Sequence, residues 1–333
     1  MKNITIGVVA FVLLSAFWIV VPVSGETQQI KIVATLEIFA TIAKDIGGQY
    51  VDTDYIVPQG MDIHSYSLTY DDILKLDSAD LVILASSEFF SIDTQIKEKL
   101  PDGNFLDMDD YNPTLMPLGN FDKNIHGYWL YPENAMGIAK AVKNKLITML
   151  PSEKSYFENR YASFLAELNR TVDIMHEITY NSGIAEKKVL LVVPGVFYVV
   201  KAMNVSVAGV ILKGPEQFVS SSELSEFKSE IQRGEICAII NAEGMENTKA
   251  GEIATELSAE TGVRVVYIDI FSADNYTALL LKDAVDIAGS QNTYVYWNGD
   301  SGYTVYYIAI AALSAVAALS IYTAWRYRKE LLK

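Results

Sequence analysis

The stretch Ser152–Tyr180, SEKSYFENRYASFLAELNRTVDIMHEITY, decides the architecture of this chain. It follows Pro151 and ends at Asn181-Ser182-Gly183. Apolar residues recur at Tyr156, Phe157, Tyr161, Phe164, Leu165, Leu168, Val172 and Met175, close to helical spacing. At about 1.5 Å per residue such a helix is roughly 43 Å long, too long for the crossover of a small domain. It predicts a rigid strut between two domains, one that holds hinge movements small.

Working outward, each side of the strut alternates strand and helix signals. Before it, Ile30–Ala34, Val51–Val57 and Leu81–Ala85 read as strands, and Ile38–Ile46, Tyr70–Leu76 and Asn134–Met149 as helices. After it, strands are expected at Val189–Val193, Val205–Ile211, Ala238–Ile240 and Val263–Ile268. Helices are expected at Ser222–Arg233, Thr248–Thr261 and Tyr276–Ala288. Such alternation predicts parallel sheets covered on both faces. The expectation is an α/β chain with two Rossmann-like lobes, residues 28–150 and 187–292, joined by the long helix at 152–181.

The two ends carry different signals. Residues 1–25 read as a secretory signal peptide: Lys2, the apolar run Ile6–Val21, then Val23-Ser24-Gly25. An uncleaved anchor is the alternative. No cysteine lies near the cleavage point, which argues against a lipid anchor. Residues 303–325 contain no charge and are long enough to span a bilayer as one transmembrane helix. Arg326, Arg328 and Lys329 come directly after, so a cell-membrane location is expected, with the binding domain outside and a short cytoplasmic tail. Three sequons, at Asn169, Asn204 and Asn275, offer sites for N-glycans. The only cysteine, Cys237, has no internal partner and reads as a buried apolar residue. The formal charge of −15 argues against a nucleic-acid partner, which needs a basic face.

Of three histidines, two lie where strands give way to loops. His64 sits in Gly60-Met61-Asp62-Ile63-His64-Ser65-Tyr66, and His126 in Asn124-Ile125-His126-Gly127-Tyr128-Trp129. Neutral imidazole is the commonest side-chain ligand of first-row divalent metals. His176 lies within the long helix and reads as structural. No G-x-S-x-G, P-loop, H-E-x-x-H or G-x-G-x-x-G pattern is present, so an enzyme is not expected.

Five segments, in order, resemble the zinc/manganese-type solute-binding proteins of metal ABC transporters (cluster A-I, cluster 9), over about residues 28–292. Val57–Tyr66 is similar to that family's V-P-x-G-x-D-P-H-x-[YF]. Asp71-Asp72-Ile73 and Ala79–Val82 match the family's next helix and strand. His126–Ala135 is similar to H-x-W-L-D-P-x-N-A, with one extra residue before Trp129. Gly214–Gln217 resembles S-P-E-x, and Val266–Asp269 the strand ending in aspartate. The resemblance implies a metal held between the lobes by His64, His126 and Asp269. A third family ligand, a histidine or glutamate, has no counterpart in Val192–Tyr198, where Pro194 stands nearest. Asp62, Glu88 or Glu243 could replace it or hydrogen-bond the imidazoles. The resemblance implies capture of a divalent transition metal, zinc first and manganese next, for an ABC permease in the same membrane. The missing ligand leaves a second reading, a divergent paralogue with a degraded site acting in surface adhesion, sensing or scaffolding.

Overall fold

The structure, a computed structural model, describes residues 29–61, 63–100, 104–271 and 274–290. These fall into two compact units. One comprises residues up to Thr114, Pro132–Arg170 and Phe271–Leu279; the other comprises Leu115–Tyr131, Thr171–Ile270 and residues from Leu280.

The first unit opens with β1 (Ile30–Ala34), α1 (Glu37–Gly47), β2 (Val51–Tyr55), α2 (Tyr70–Asp77), β3 (Leu81–Ile83), α3 (Ser91–Lys97), β4 (Phe105–Leu106) and α4 (Met108–Tyr111). The strands form one parallel sheet in the order β2-β1-β3-β4. Its central strand β1 is apolar on both faces, with Ile32, Val33 and Ala34 all buried, as a parallel strand between two helical layers requires. α1 buries Ile38, Phe39, Ile42 and Ile46, a stripe at helical spacing. α5 (Pro132–Met149) comes next, and Asn134 near its start binds both the N–H and the C=O of Thr114, at 2.7 and 3.1 Å. α6 (Lys154–Ser182) is the long helix, 29 residues, starting and ending two residues later than the sequence reading. Within the first unit, Arg160 of α6 donates to the Asp45 carbonyl at 2.7 Å.

The second unit continues with β5 (Lys188–Leu191), α7 (Phe197–Ala202), β6 (Ser206–Val210), β7 (Leu212–Gly214), β8 (Gln217–Phe218), α8 (Ser221–Gln232), β9 (Ile236–Ala242), α9 (Lys249–Thr261), β10 (Arg264–Ile268) and α10 (Tyr276–Gly289), whose first turn belongs to the first unit. Its parallel sheet runs β10-β9-β5-β6, and β7–β8 is a small antiparallel pair. In each sheet the strand order reverses beside the first strand, between β1 and β3 and between β5 and β9. Open α/β sheets bind ligands outside the carboxyl ends of their strands at such reversals.

The α/β class, the parallel sheets and the long helix agree with the sequence reading. The proposed signal, residues 1–25, and the apolar segment 303–325 lie outside the described residues. Among the described residues, no helix is long and apolar enough to cross a membrane.

Candidate metal centre

His64 lies in the turn after β2, on the first unit, with an exposed side chain. Its ring stands against Phe90 at 5.3 Å between centroids, tilted by 53°. The loop's exit is fixed by a capping box at the start of α2. The Thr69 hydroxyl accepts from Asp72 N at 3.2 Å, and Asp72 Oδ2 accepts from Thr69 N at 2.8 Å. Tyr66, of the same motif as His64, donates its hydroxyl to Asp72 Oδ2 at 2.8 Å. Burial alone would raise the Asp72 carboxyl. Hydrogen bonds from Thr69 and Tyr66 outweigh it and hold the group below its ordinary value.

Near the strand-order reversal of this unit, Asp93 of α3 is fully buried. It accepts from the Thr35 hydroxyl, just past β1, and from Ser86 N at 2.6 Å, past β3. Burial pushes its carboxyl up to about 7 despite those donors.

His126 belongs to Leu115–Tyr131, which packs with the second unit although chain order puts it within 28–150. Its half-buried ring meets the edge of Phe121 at 5.2 Å. Asn124, fully buried, holds it from two sides: His126 N donates to Asn124 Oδ1 at 3.0 Å, and Nδ1 lies 3.2 Å from the same oxygen. The other end of the amide, Nδ2, donates to the Pro194 carbonyl at 2.9 Å. Tyr198 completes the anchor. Its hydroxyl donates to the Asn124 carbonyl at 2.6 Å and accepts from Met116 N at 3.0 Å, and burial pushes it up to about 12. Gly127, at φ 72°, sits so close to Gly195 that a Cβ would lie 2.1 Å from the Gly195 carbonyl oxygen. Only glycine tolerates both that approach and that backbone conformation.

Asp269 lies just past β10 and is half-buried. The indole N–H of buried Trp129, from the His126 loop, donates to the carbonyl of the next residue, Ile270, at 2.7 Å. The second unit thus ties three corners together: the His126 loop, the Pro194–Gly195 turn and the exit of β10. Val192–Tyr198, where a third ligand was sought, is buried throughout and holds no acidic or imidazole side chain.

The other candidates are scattered. Asp62 lies outside the described residues, and Glu88 is exposed. Glu243, beside Asp269 at the end of the neighbouring strand, is exposed and pairs with Lys282 at 3.4 Å. Sequence reading missed Asp283 of α10. It is fully buried, and no hydrogen bond to its carboxylate is found among the described residues. Burial, reinforced by the charges of Asp269, Asp286 and Glu243 and partly offset by Lys282, keeps that group well above its ordinary value. His176 places Nε2 3.0 Å from the Ala202 carbonyl, and Cys237 donates to the Lys188 carbonyl at 3.3 Å. Asn169, Asn204 and Asn275 are exposed, and Asn275 Oδ1 accepts from Ala278 N at 2.8 Å at the head of α10. Among the described residues, no three His, Cys, Asp or Glu side chains gather as a metal cluster.

A family model, ZnuA, zinc-uptake complex component A periplasmic, matches residues 32–289. The chain belongs to this family. The manganese ABC transporter substrate-binding lipoprotein PsaA of Streptococcus anginosus is 28% identical over 215 residues, 60% of this chain and 69% of the relative. The iron ABC transporter substrate-binding lipoprotein MtsA of Streptococcus pyogenes serotype M1 is 25% identical over 192 residues, 55% and 62% of the two chains. A crystal structure of ZnuA shares the fold at a TM-score of 0.66 and 21% identity, covering 80% of this chain and 100% of that one. The resemblance read at the two histidine motifs therefore holds at the level of the family, whose members are metal-binding components of ABC transporters and not enzymes. One expectation is corrected. Localisation through a C-terminal membrane helix does not stand against the relatives, which are named as lipoproteins.

Proposed function

We propose that this chain captures a divalent transition metal ion as cargo for an ABC importer, zinc first and manganese next. His64, His126 and Asp269 supply the donors, and a permease of that importer takes the ion. The observation that carries this reading is the link between two of those positions: Trp129, three residues after His126, is hydrogen-bonded to Ile270, one residue after Asp269, at 2.7 Å. Two loops bearing metal-type ligands are thereby fixed to one body at the carboxyl ends of a parallel sheet, where α/β ligands bind.

Two imidazoles and one carboxylate leave coordination positions for water. Pro194 offers no side-chain donor, so affinity is expected below that of a four-ligand site. Such a set suits a carrier, which must release its cargo. The names of the relatives span manganese and iron, so the ion is chosen by experiment. Isothermal titration of the chelator-stripped full chain with Zn²⁺, Mn²⁺ and Fe²⁺ tests the proposal. Saturable one-to-one binding of at least one ion, weakened at least tenfold by His126→Ala, is expected. Absence of binding by all three ions would reject it.

A further inference from the structure

We infer that Asn124 is the positioning residue of the His126 side: its side-chain oxygen fixes the imidazole in the Nδ1–H form, so the ring presents the Nε2 lone pair to a metal. The consequence for metal binding rests on the reading above, whereas the geometry stands apart from it.

Two neighbours decide which end of the Asn124 amide faces the ring. Pro194 O and Asn124 Nδ2 are 2.9 Å apart. A carbonyl only accepts, so the atom facing it must be the NH₂ group. The backbone N–H of His126 lies 3.0 Å from the other end of the amide. A backbone N–H only donates, so the atom facing it must be the oxygen. Turning the amide over would set two acceptors against each other at Pro194 and two donors at His126. The orientation is therefore fixed twice, by groups whose roles cannot change. The same oxygen lies 3.2 Å from His126 Nδ1, and an acceptor there requires that Nδ1 carry the proton. The lone pair of the neutral ring then sits on Nε2. Metal-bound histidines are commonly held in this way, by a hydrogen bond from the nitrogen that does not meet the metal.

The support behind Asn124 reaches far along the chain. Tyr198 holds its carbonyl, and the Pro194 turn holds its amide. Pro194 stands where the resemblance seeks the third ligand. In this chain that turn supplies no ligand and orients the holder of another one.

His176 provides an internal contrast, because its Nε2 faces the Ala202 carbonyl at 3.0 Å and so must carry the proton. With three histidines in the chain, all can be assigned in one long-range ¹⁵N–¹H spectrum of the metal-free full chain, recorded where the imidazoles are neutral. His126 should show the Nδ1–H pattern and His176 the Nε2–H pattern. Asn124→Leu should release His126 from its single tautomer while leaving His176 unchanged, which also reports that the fold survives. Asn124→Ser, a smaller change, guards against a leucine variant that fails to fold. Asn124→Asp keeps the acceptor facing Nδ1 and should keep Nδ1–H, although it loses the donor to the Pro194 carbonyl. Zinc affinity should fall about 10–100-fold in Asn124→Leu and by less in Asn124→Asp. An Nε2–H pattern for wild-type His126, or one unaltered in both Asn124→Leu and Asn124→Ser, would overturn the inference and leave the metal reading standing. The proposed tautomer together with a His126 signal that zinc never perturbs would overturn the metal reading, and the positioning role with it.

Discussion

The loops of His64 and His126 carry the same side chain, an imidazole, and hold it by different means. His64 stands exposed on a turn whose order comes from its neighbour in sequence, the Thr69–Asp72 capping box, and from Phe90 beneath the ring. His126 is half-buried and pinned by Asn124, which is itself held by residues 70 and 74 positions away. One loop is organised locally and the other by long-range contacts. Change around His64 should stay local, whereas a change at Pro194 or Tyr198 should reach the His126 ring through Asn124.

Glycines expose that difference most strongly. Gly60 and Gly127 share a left-handed backbone, φ 73° and 72°, but a Cβ at Gly60 meets nothing within 4 Å while one at Gly127 collides with the Gly195 carbonyl. Gly127→Ala should cost about 3 kcal/mol or more, since backbone must move. That is a fall of roughly 6–12 °C in Tm. Gly60→Ala should cost about 1–2 kcal/mol, the strain alone. Thermal unfolding of the two variants checks the ranking, and equal losses would break the comparison.

The tyrosines come next. Tyr198→Phe strands the Met116 N–H and the Asn124 carbonyl in a buried site and should cost about 1–3 kcal/mol. Tyr66→Phe leaves Asp72 still bonded to both the N–H and the hydroxyl of Thr69 and should cost about 1 kcal/mol or less. Urea midpoints at constant m-value would show the order.

A different kind of effect is one of pH, in the first unit. Asp93 and Asp45 have carboxyls raised by burial to about 7 and about 6. In the folded state they hold protons that the unfolded chain gives up near pH 4. Their contribution is therefore full below about pH 4 and is lost as pH rises through 6 to 7. Asp72 and Asp107 are shifted downward, so their contribution fades only below about pH 4, outside this window. Asp93→Asn should flatten the decline in stability between about pH 4.5 and 7.5, read from urea midpoints. An unchanged slope would mean that Asp93 does not titrate there.

Much of this was legible in the chain because parallel α/β structure writes itself locally. β1 coincides with its predicted span, and α6 keeps its predicted length. α7 was missed because Phe197–Ala202 is a short, largely apolar run with two valines, and such a run carries no helical period. β4 has two residues, too few for any pattern. At the site, the two histidine loops were visible, and Asn124 two residues before His126 is a local signal that could have been read as a turn. The role of Tyr198 could not be read, because a contact 74 residues away leaves no mark in spacing. Chain order likewise could not reveal that the His126 loop packs with the second unit, since the chain enters that unit at Leu115 and leaves it after Tyr131.

The most direct test of the metal reading is metal-dependent thermal unfolding of the chelator-stripped full chain, as wild type, His64→Ala and His126→Ala, with Zn²⁺ and Mn²⁺ titrated separately. An ion that binds only the folded state stabilises it by about 2.7 kcal/mol at about one hundred times its Kd. The predicted result is a rise of roughly 5–10 °C in the wild type at that loading and loss of most of that rise in each histidine variant. A wild-type rise that survives both substitutions would contradict it.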